Sequence, residues 1–444
     1  MKKGSSLFTK SKFIAHFFKS LDLCHFRTPL KLNYCIFILC LSTSVFSQYN
    51  SEFLNFEKTG RSISLNGEYE LGSNGVYNGL VNKFLYGGYI DKATKDASDK
   101  TMKQLNVAGA NINYDLSVFF GRSPKYSFLI GVKDQLIFNS SFTKDFYELA
   151  MYGNKPYLGE TKNLGGSRIN YLHFQEMKLG LIWHKVDSTA KIGASISLLK
   201  GQQLFHIRAM PGSSLYTNND GTELIFNSHF NMALSDTNYR KNPLAFTGIG
   251  ASADIFFETP YKTKHGKECV LTVNANNIGF LHWTDNSVQY SSDSSIKYTG
   301  YHINNLFDLK DSTLSSINRD TIVHKLTGAR KQSFNVNIPT NLIIINKIKF
   351  TTKFTLGVGF RYLFNSNFKP YFFTDGEYAF TSKLTGALHI GYGGYSKLNI
   401  GLAFSYNTKN WYFKLGSNSL QGYISPANTY GQGAFLSLAK KFKR

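Results

Sequence analysis

Between Lys397 and Gly416 the chain reads KLNIGLAFSYNTKNWYFKLG. Leu398, Ile400, Leu402 and Phe404 take every second place, and Asn399, Gly401, Ala403 and Ser405 fill the places between. After a turn the alternation resumes with Trp411, Phe413 and Leu415 against Tyr412, Lys414 and Gly416. A period of two describes a strand with two unlike faces. The pattern recurs along most of the chain. It predicts strands near 62–72, 106–120, 126–139, 168–184, 190–207, 215–234, 246–258, 268–278, 286–299, 331–338, 349–363, 370–380, 384–393, 397–406, 410–417 and 433–442. No linker or break in composition interrupts them, so one sheet closed on itself fits better than a string of domains.

The two faces decide what surrounds that sheet. A soluble sandwich turns a charged or Thr-rich face to water. Here the second face is largely small: Ala387, His389, Gly391 and Gly393 oppose Leu388, Ile390 and Tyr392, and Thr355, Gly357, Gly359 and Arg361 oppose Phe354, Leu356, Val358 and Phe360. Small polar residues suit the inside of a closed barrel, and bulky apolar ones suit lipid outside it. Backbone groups left unpaired in hydrocarbon are costly, so such a sheet has to close. The expected fold is therefore all-β, a closed antiparallel transmembrane β-barrel of about 14–16 strands.

Connection lengths agree. Residues 122–125, 185–189, 381–383 and 408–410 read as short turns, and 73–105, 140–167, 300–332 and 418–432 as long loops. Counting sixteen strands back from a periplasmic C-terminus puts the turns on the periplasmic side and the long loops outside, the asymmetry of outer-membrane barrels. Within the first long loop, segment 80–104 reads partly as helix, from Asp96-Ala97-Ser98 to Lys103. It would be an outer-loop helix or a plug in the lumen. Segment 303–328, with Asp308, Asp311 and Asp320, reads as a folded polar outer loop.

Composition sharpens the picture. Mean hydropathy is −0.22, and no window holds the roughly 18 apolar residues that a spanning helix needs. Aromatic residues are 15% of the 444, with 27 Tyr and 38 Phe. They gather at predicted strand ends, at Tyr126 and Phe128, at Tyr371 to Phe373, at Tyr406 and at Trp411 to Phe413, where a membrane interface would hold them. One apolar run, Tyr34 to Phe46, follows Arg27 and Lys31. It reads as the core of a signal peptide over 1–47, cleaved between Ser47 and Gln48. Its removal would take the net charge from +22 to +16, with 43 basic and 27 acidic residues remaining, and would leave Cys269 alone, so no internal disulfide is expected.

Several short phrases carry a family resemblance. They are Tyr152-Gly153-Asn154 with Pro156 and Gly159, Gly193-Ala194-Ser195 leading to Leu199-Lys200-Gly201, Leu415 through Gly422, and the terminal Phe435-Leu436-Ser437-Leu438 through Phe442. Together they resemble an uncharacterised outer-membrane barrel family of the Bacteroidota, a domain of unknown function, which in turn looks distantly like FadL-type fatty-acid transporters. The resemblance implies an architecture more firmly than an activity. The Asn-Pro-Ala phrase common at the start of FadL-type barrels is replaced here by YNSEFLNFEKTGRS. The terminal strand also resembles the signal read by outer-membrane assembly machinery, except that Lys443 and Arg444 follow Phe442.

Enzymatic signals are poor. Gly248-Ile249-Gly250-Ala251-Ser252-Ala253 partly mimics a dinucleotide fingerprint but lies in a strand pattern and opens no helix. His173 and Glu176 would point to opposite faces of a strand, and one Cys cannot build a structural zinc site. No catalytic residue, metal site or cofactor is expected. The inner parity is more informative: Asp115, Lys133, Glu176, Lys178, Asp254, Arg361, Asp375, Glu377 and His389 all fall on the face predicted to line the lumen. Arg361 is expected within reach of Asp375 and Glu377. The set reads as an internal salt-bridge network or as a charged ladder guiding a solute, the network being favoured. Asp134 contradicts the scheme by sharing parity with Ile130, Val132 and Leu136; a nearby bulge or a place at the interface would reconcile it. The scattered basic surplus does not form a nucleic-acid stripe. The expected partners are outer-membrane lipid and lipopolysaccharide, a hydrophobic or small solute, and, under a scaffold reading, secretion or gliding proteins.

Overall fold

The computed structural model describes residues 60–121, 125–185, 190–236, 244–299 and 330–442. The signal peptide expected at 1–47 and most of the loop expected at 300–332 lie outside these residues.

Fourteen strands close into one antiparallel ring. They are β1 (Gly60–Ser73), β2 (Leu105–Gly121), β3 (Tyr126–Thr143), β4 (Arg168–His184), β5 (Lys191–Ala209), β6 (Gly248–Lys262) and β7 (Glu268–Trp283). They continue as β8 (Asn341–Lys349), β9 (Phe354–Leu363), β10 (Lys369–Ala379), β11 (Leu384–Gly394), β12 (Leu398–Asn407), β13 (Trp411–Ser417) and β14 (Gly431–Phe442). Each pairs with its neighbours in chain order, and β14 closes on β1 from Phe442 opposite Arg61 to Gly431 opposite Gly72. The apolar terminal strand is thus the seam of the barrel, which leaves the ring without an edge.

Register sorts the two faces. Leu402, Leu388 and Ile390 stand half-exposed on the outside, while Ala403 beside them on β12 is 0% exposed. The belt continues round the wall through Leu65, Val132, Leu179, Ile196, Ile255 and Val358, all exposed. Strands β8 to β13 run 7–11 residues, close to the 9–11 that cross a bilayer. Strands β1 to β7 run 14–19 residues and rise beyond that band.

Two expected spanning strands do not cross. Leu224–Leu234 meets the ring at Phe205–Ala209, the tall end of β5, and its other partners are the short strand Ser214–Thr217 and the strand Val288–Tyr298. Below them β5 pairs directly with β6, from Lys191 opposite Glu258 to Gly201 opposite Gly248. The hairpin carries Asn227, Ser228, Ser291, Ser292, Asp293, Ser294 and Ser295, a polarity that belongs in water above the band. Near the predicted strand 331–338, only Phe334–Asn337 pairs with β7, at its top. The spanning strand is β8, whose run Leu342-Ile343-Ile344-Ile345 conceals the alternation.

The long loop at 73–105 holds two helices, α1 (Asn78–Tyr86) and α2 (Lys92–Asp99). They sit at the end opposite the short turns, where Leu80 packs with Phe142 and with Tyr147 of α3 (Lys144–Tyr152). Asn78 binds the Gly431 carbonyl at 2.7 Å, tying α1 to the rim. Among the described residues this segment is a cap at the mouth, the first of the two alternatives posed by the sequence.

Candidate functional site: the charged lumen wall

All nine charged residues expected on the inner face share one parity in the register. Asp115 lies opposite Lys133, Lys133 opposite Glu176, and Asp375 opposite His389. Arg361 shares the face of Asp375 through Gly357 and Gly359.

One group sits midway up β3 to β7. Lys178 Nζ lies 2.6 Å from Asp254 and 3.4 Å from Glu176. Ser195 donates to Asp254 at 2.9 Å, and Ser197 donates to Glu176 at 2.6 Å. Lys178, Glu176 and Asp254 are all buried. Above the group toward the mouth lies an apolar cluster of Ile137, Leu172, Phe174, Leu199, Leu204, Leu281, Trp283 and Ile338. Below it lies another, of Phe119, Leu129, Ile182 and Phe256. Charges between two apolar layers are tolerated only when paired, which accounts for the fixed positions of the three ionic groups.

A second group lines β8 to β11. His389 sits between Asp375, 2.6 Å from its Nδ1, and the Tyr371 hydroxyl, 2.6 Å from its Nε2. Lys347 pairs with Glu377 at 3.0 Å. Arg361 does not reach Asp375 or Glu377. Its strand partner is Tyr371, and Asp375 lies four residues further along β10, on the order of 13 Å away at strand rise. Its guanidinium instead meets Glu70 of β1 at 2.7 Å, donates to Asn341 at 3.1 Å and lies over the Phe368 ring. Sequence reasoning passed over Glu70, although its alternation with Leu71 and Tyr69 would have placed it inside.

The Glu70–Arg361 pair crosses the lumen. Between β1 and β9 five strands intervene one way and seven the other. An even ring of fourteen strands is on the order of 28 Å across from strand spacing and tilt. An arginine and a glutamate span about half of that, so the wall is drawn in at this level. A second bar links Asn277 Nδ2 of β7 to Gln135 of β3 at 3.0 Å, with three strands between. Asn277 stands at a bulge with φ of 61°, and its backbone N–H donates to Asp254 at 2.8 Å. Nearer the mouth Tyr395 folds inward, and a Cβ on Gly109 of β2 would lie 2.3 Å from its ring.

Asp134 faces outward, as its parity requires. His173 lies 2.9 Å from it and Gln175 donates to it at 3.1 Å. It stands in the cross-strand row Tyr114, Asp134, Gln175, Lys200. Below the row the outer face is Ile130, Val132, Met177 and Leu179, all exposed. The carboxylate thus shares the outer face with a row of polar neighbours that hold it. His173 and Glu176 point to opposite faces, and no group of three metal-ligating side chains occurs among the described residues.

A closed antiparallel wall, apolar outside and ionically paired inside, defines a β-barrel of the membrane type. The chain belongs to the Family of unknown function (DUF5723), whose profile matches residues 62–418. Its backbone is similar to the Pseudomonas putida toluene transporter TodX, at 10% identity over 87% of this chain and 91% of that one, with a TM-score of 0.41. It is similar to the Ralstonia pickettii toluene transporter TbuX, at 11% identity over 87% and 90%, with a TM-score of 0.40. A Pseudomonas aeruginosa FadL homologue gives 10% identity over 86% and 90%, with a TM-score of 0.39. Comparison with curated proteins found no match.

Proposed function

We propose that this barrel resides in the outer membrane, inserted after export, and passes a hydrophobic or small solute through a lumen that its own side chains shut at rest. It acts without enzymatic chemistry. The observation that carries the reading is a set of polar atoms on the inner wall. Both side-chain polar atoms of Asn274, Oγ of Ser252, Oε2 of Glu176 and Oδ1 of Asn277 are buried and find no hydrogen-bond partner. Buried polar groups are hydrogen bonded as a rule, to protein or to ordered water. These atoms suit a chamber that takes up water or a polar group of a solute. The bars across it, Glu70–Arg361 and Gln135–Asn277, are side-chain contacts that rotamer changes can open.

The test is flux. Proteoliposomes carrying the mature barrel are expected to pass small solutes slowly, and E70Q/R361M is expected to raise the rate several-fold. Equal, negligible flux through both would refute a gated passage. A scaffold reading is favoured by one feature. The hairpin Leu224–Leu234/Val288–Tyr298 and the helical cap form a folded platform that a spanning wall does not need. Under that reading secretion or gliding proteins co-purify stoichiometrically, and a lone barrel carrying only lipid counts against it.

A further inference from the structure

At the mouth, β4 and β5 bring like charges together. Arg168 lies directly opposite Arg208, and one step down Asn170 lies opposite His206. The register places all four on the inner parity, above Leu172 and Leu204. Like charges in direct cross-strand register are unfavourable, and His206 stands in the next row beside them. Elsewhere on the inner wall Lys178, Lys191, Lys347 and Arg361 each hold a carboxylate. Among the described residues neither Arg168 nor Arg208 is in an ion pair. Asp293, two residues above the partner row of Arg208, is taken by His229 at 2.5 Å.

The surroundings are built to receive a head group. His206 Nδ1 is held by Asn170, whose amide donates to buried Asn139 at 2.9 Å. Tyr395 leans over the adjoining Gly109. Arg168 and His206 are half-buried and Arg208 is exposed, so the charges are open to the mouth. Two arginines in direct cross-strand register offer planar forks whose geometry matches the oxygens of a carboxylate or phosphate.

We propose that Arg168 and Arg208 form an anion-binding site at the mouth, which selects solutes bearing a carboxylate or phosphate group. The site deepens the passage reading and rests on it for its purpose. Its binding is nonetheless measured without flux, so a barrel that binds but does not conduct would sink only the passage.

The experiment titrates phenyl phosphate, benzoate and neutral benzyl alcohol into the mature barrel in nonionic detergent. Both anions are expected to bind saturably, at least ten-fold tighter than benzyl alcohol. R168Q/R208Q is expected to weaken both at least ten-fold without changing benzyl alcohol or the heat-modifiable gel migration of the folded barrel. Should that variant misfold, R208Q, at an exposed position, is expected to weaken the anions at least three-fold. Anions binding no better than benzyl alcohol, or binding the folded variants as they bind the parent, would overturn the site. Lipopolysaccharide added in competition separates the sources: displacement assigns the site to a lipid phosphate, and its absence to a free solute, and either supports it.

Discussion

Removing one partner of the Glu70–Arg361 pair leaves different remainders, and that difference can be measured. In E70Q the Arg361 guanidinium, 1% exposed, loses the carboxylate it meets across the lumen. Breaking a buried pair on one side costs about 3–5 kcal/mol. The lower end applies, because Asn341 and the Phe368 ring still face the charge. In R361M the remainder is Glu70, whose side chain is 23% exposed and can turn toward water. Methionine keeps contact with Phe368, so the loss should be about 1–2 kcal/mol. E70Q/R361M removes both charges and should resemble R361M, giving a coupling energy of about 2 kcal/mol or more. Urea unfolding in lipid vesicles, followed by fluorescence of Trp183, Trp283 and Trp411, reports the four stabilities of the cycle. Coupling below about 0.5 kcal/mol, or R361M costing more than E70Q, would refute a pair that holds the wall in.

Other predictions address separate parts of the wall. Leu402→Arg places a charge in the middle of the apolar belt and should cost about 2–4 kcal/mol of stability in vesicles; a neutral outcome would mean that lipid does not meet this face. Lys178→Met leaves the carboxylates of Glu176 and Asp254 together between two apolar layers and should cost about 3–5 kcal/mol, read as loss of the compact heat-modifiable band. Gly109→Leu drives a side chain into Tyr395 and should cost about 1–3 kcal/mol; adding Tyr395→Ala should restore most of it in the same urea titration, and failure to do so would deny the contact. In the cap, Asp91 accepts from Lys83 at 2.9 Å and caps α2 through the Thr94 N–H at 2.7 Å. The Lys83 bond, then the Thr94 bonds, hold its carboxyl well below the usual range. A lowered folded pKa contributes stability above the unfolded value of about 4 and loses it as pH falls through the folded one. Amide exchange in α2, corrected for its intrinsic rate, should therefore rise below about pH 4, and in Asp91→Ala, which removes the capping oxygen, it should be high at every pH; identical profiles would deny the cap its role.

What the sequence determined by itself was the wall. Alternation is a local property, because successive side chains of a strand leave on opposite sides whatever their partners. Leu398 to Phe404 therefore announced an outer face, and the nine charged residues an inner one, before any pairing was known. Even the misfit of Asp134 was legible, because its parity alone put it on the outer face. Alternation is silent about which strands pair and how far they rise. Segments 215–234 and 286–299 alternate well enough to be taken for spanning strands, yet stand above the band. Strand β8 spans it, although its apolar run hides the period.

The tertiary structure decided who meets whom inside. Arg361 and Asp375 are close in sequence and adjacent in strand order, yet their register holds them apart. Glu70, nearly three hundred residues away, reaches Arg361 because ring closure brings β1 across from β9. The same closure makes Asn277 and Gln135 neighbours, and strand register sets Arg168 against Arg208. Contacts across a lumen depend on the circumference, the tilt and the inward draw of the whole wall. These are sums over every strand pairing, and no single segment encodes them.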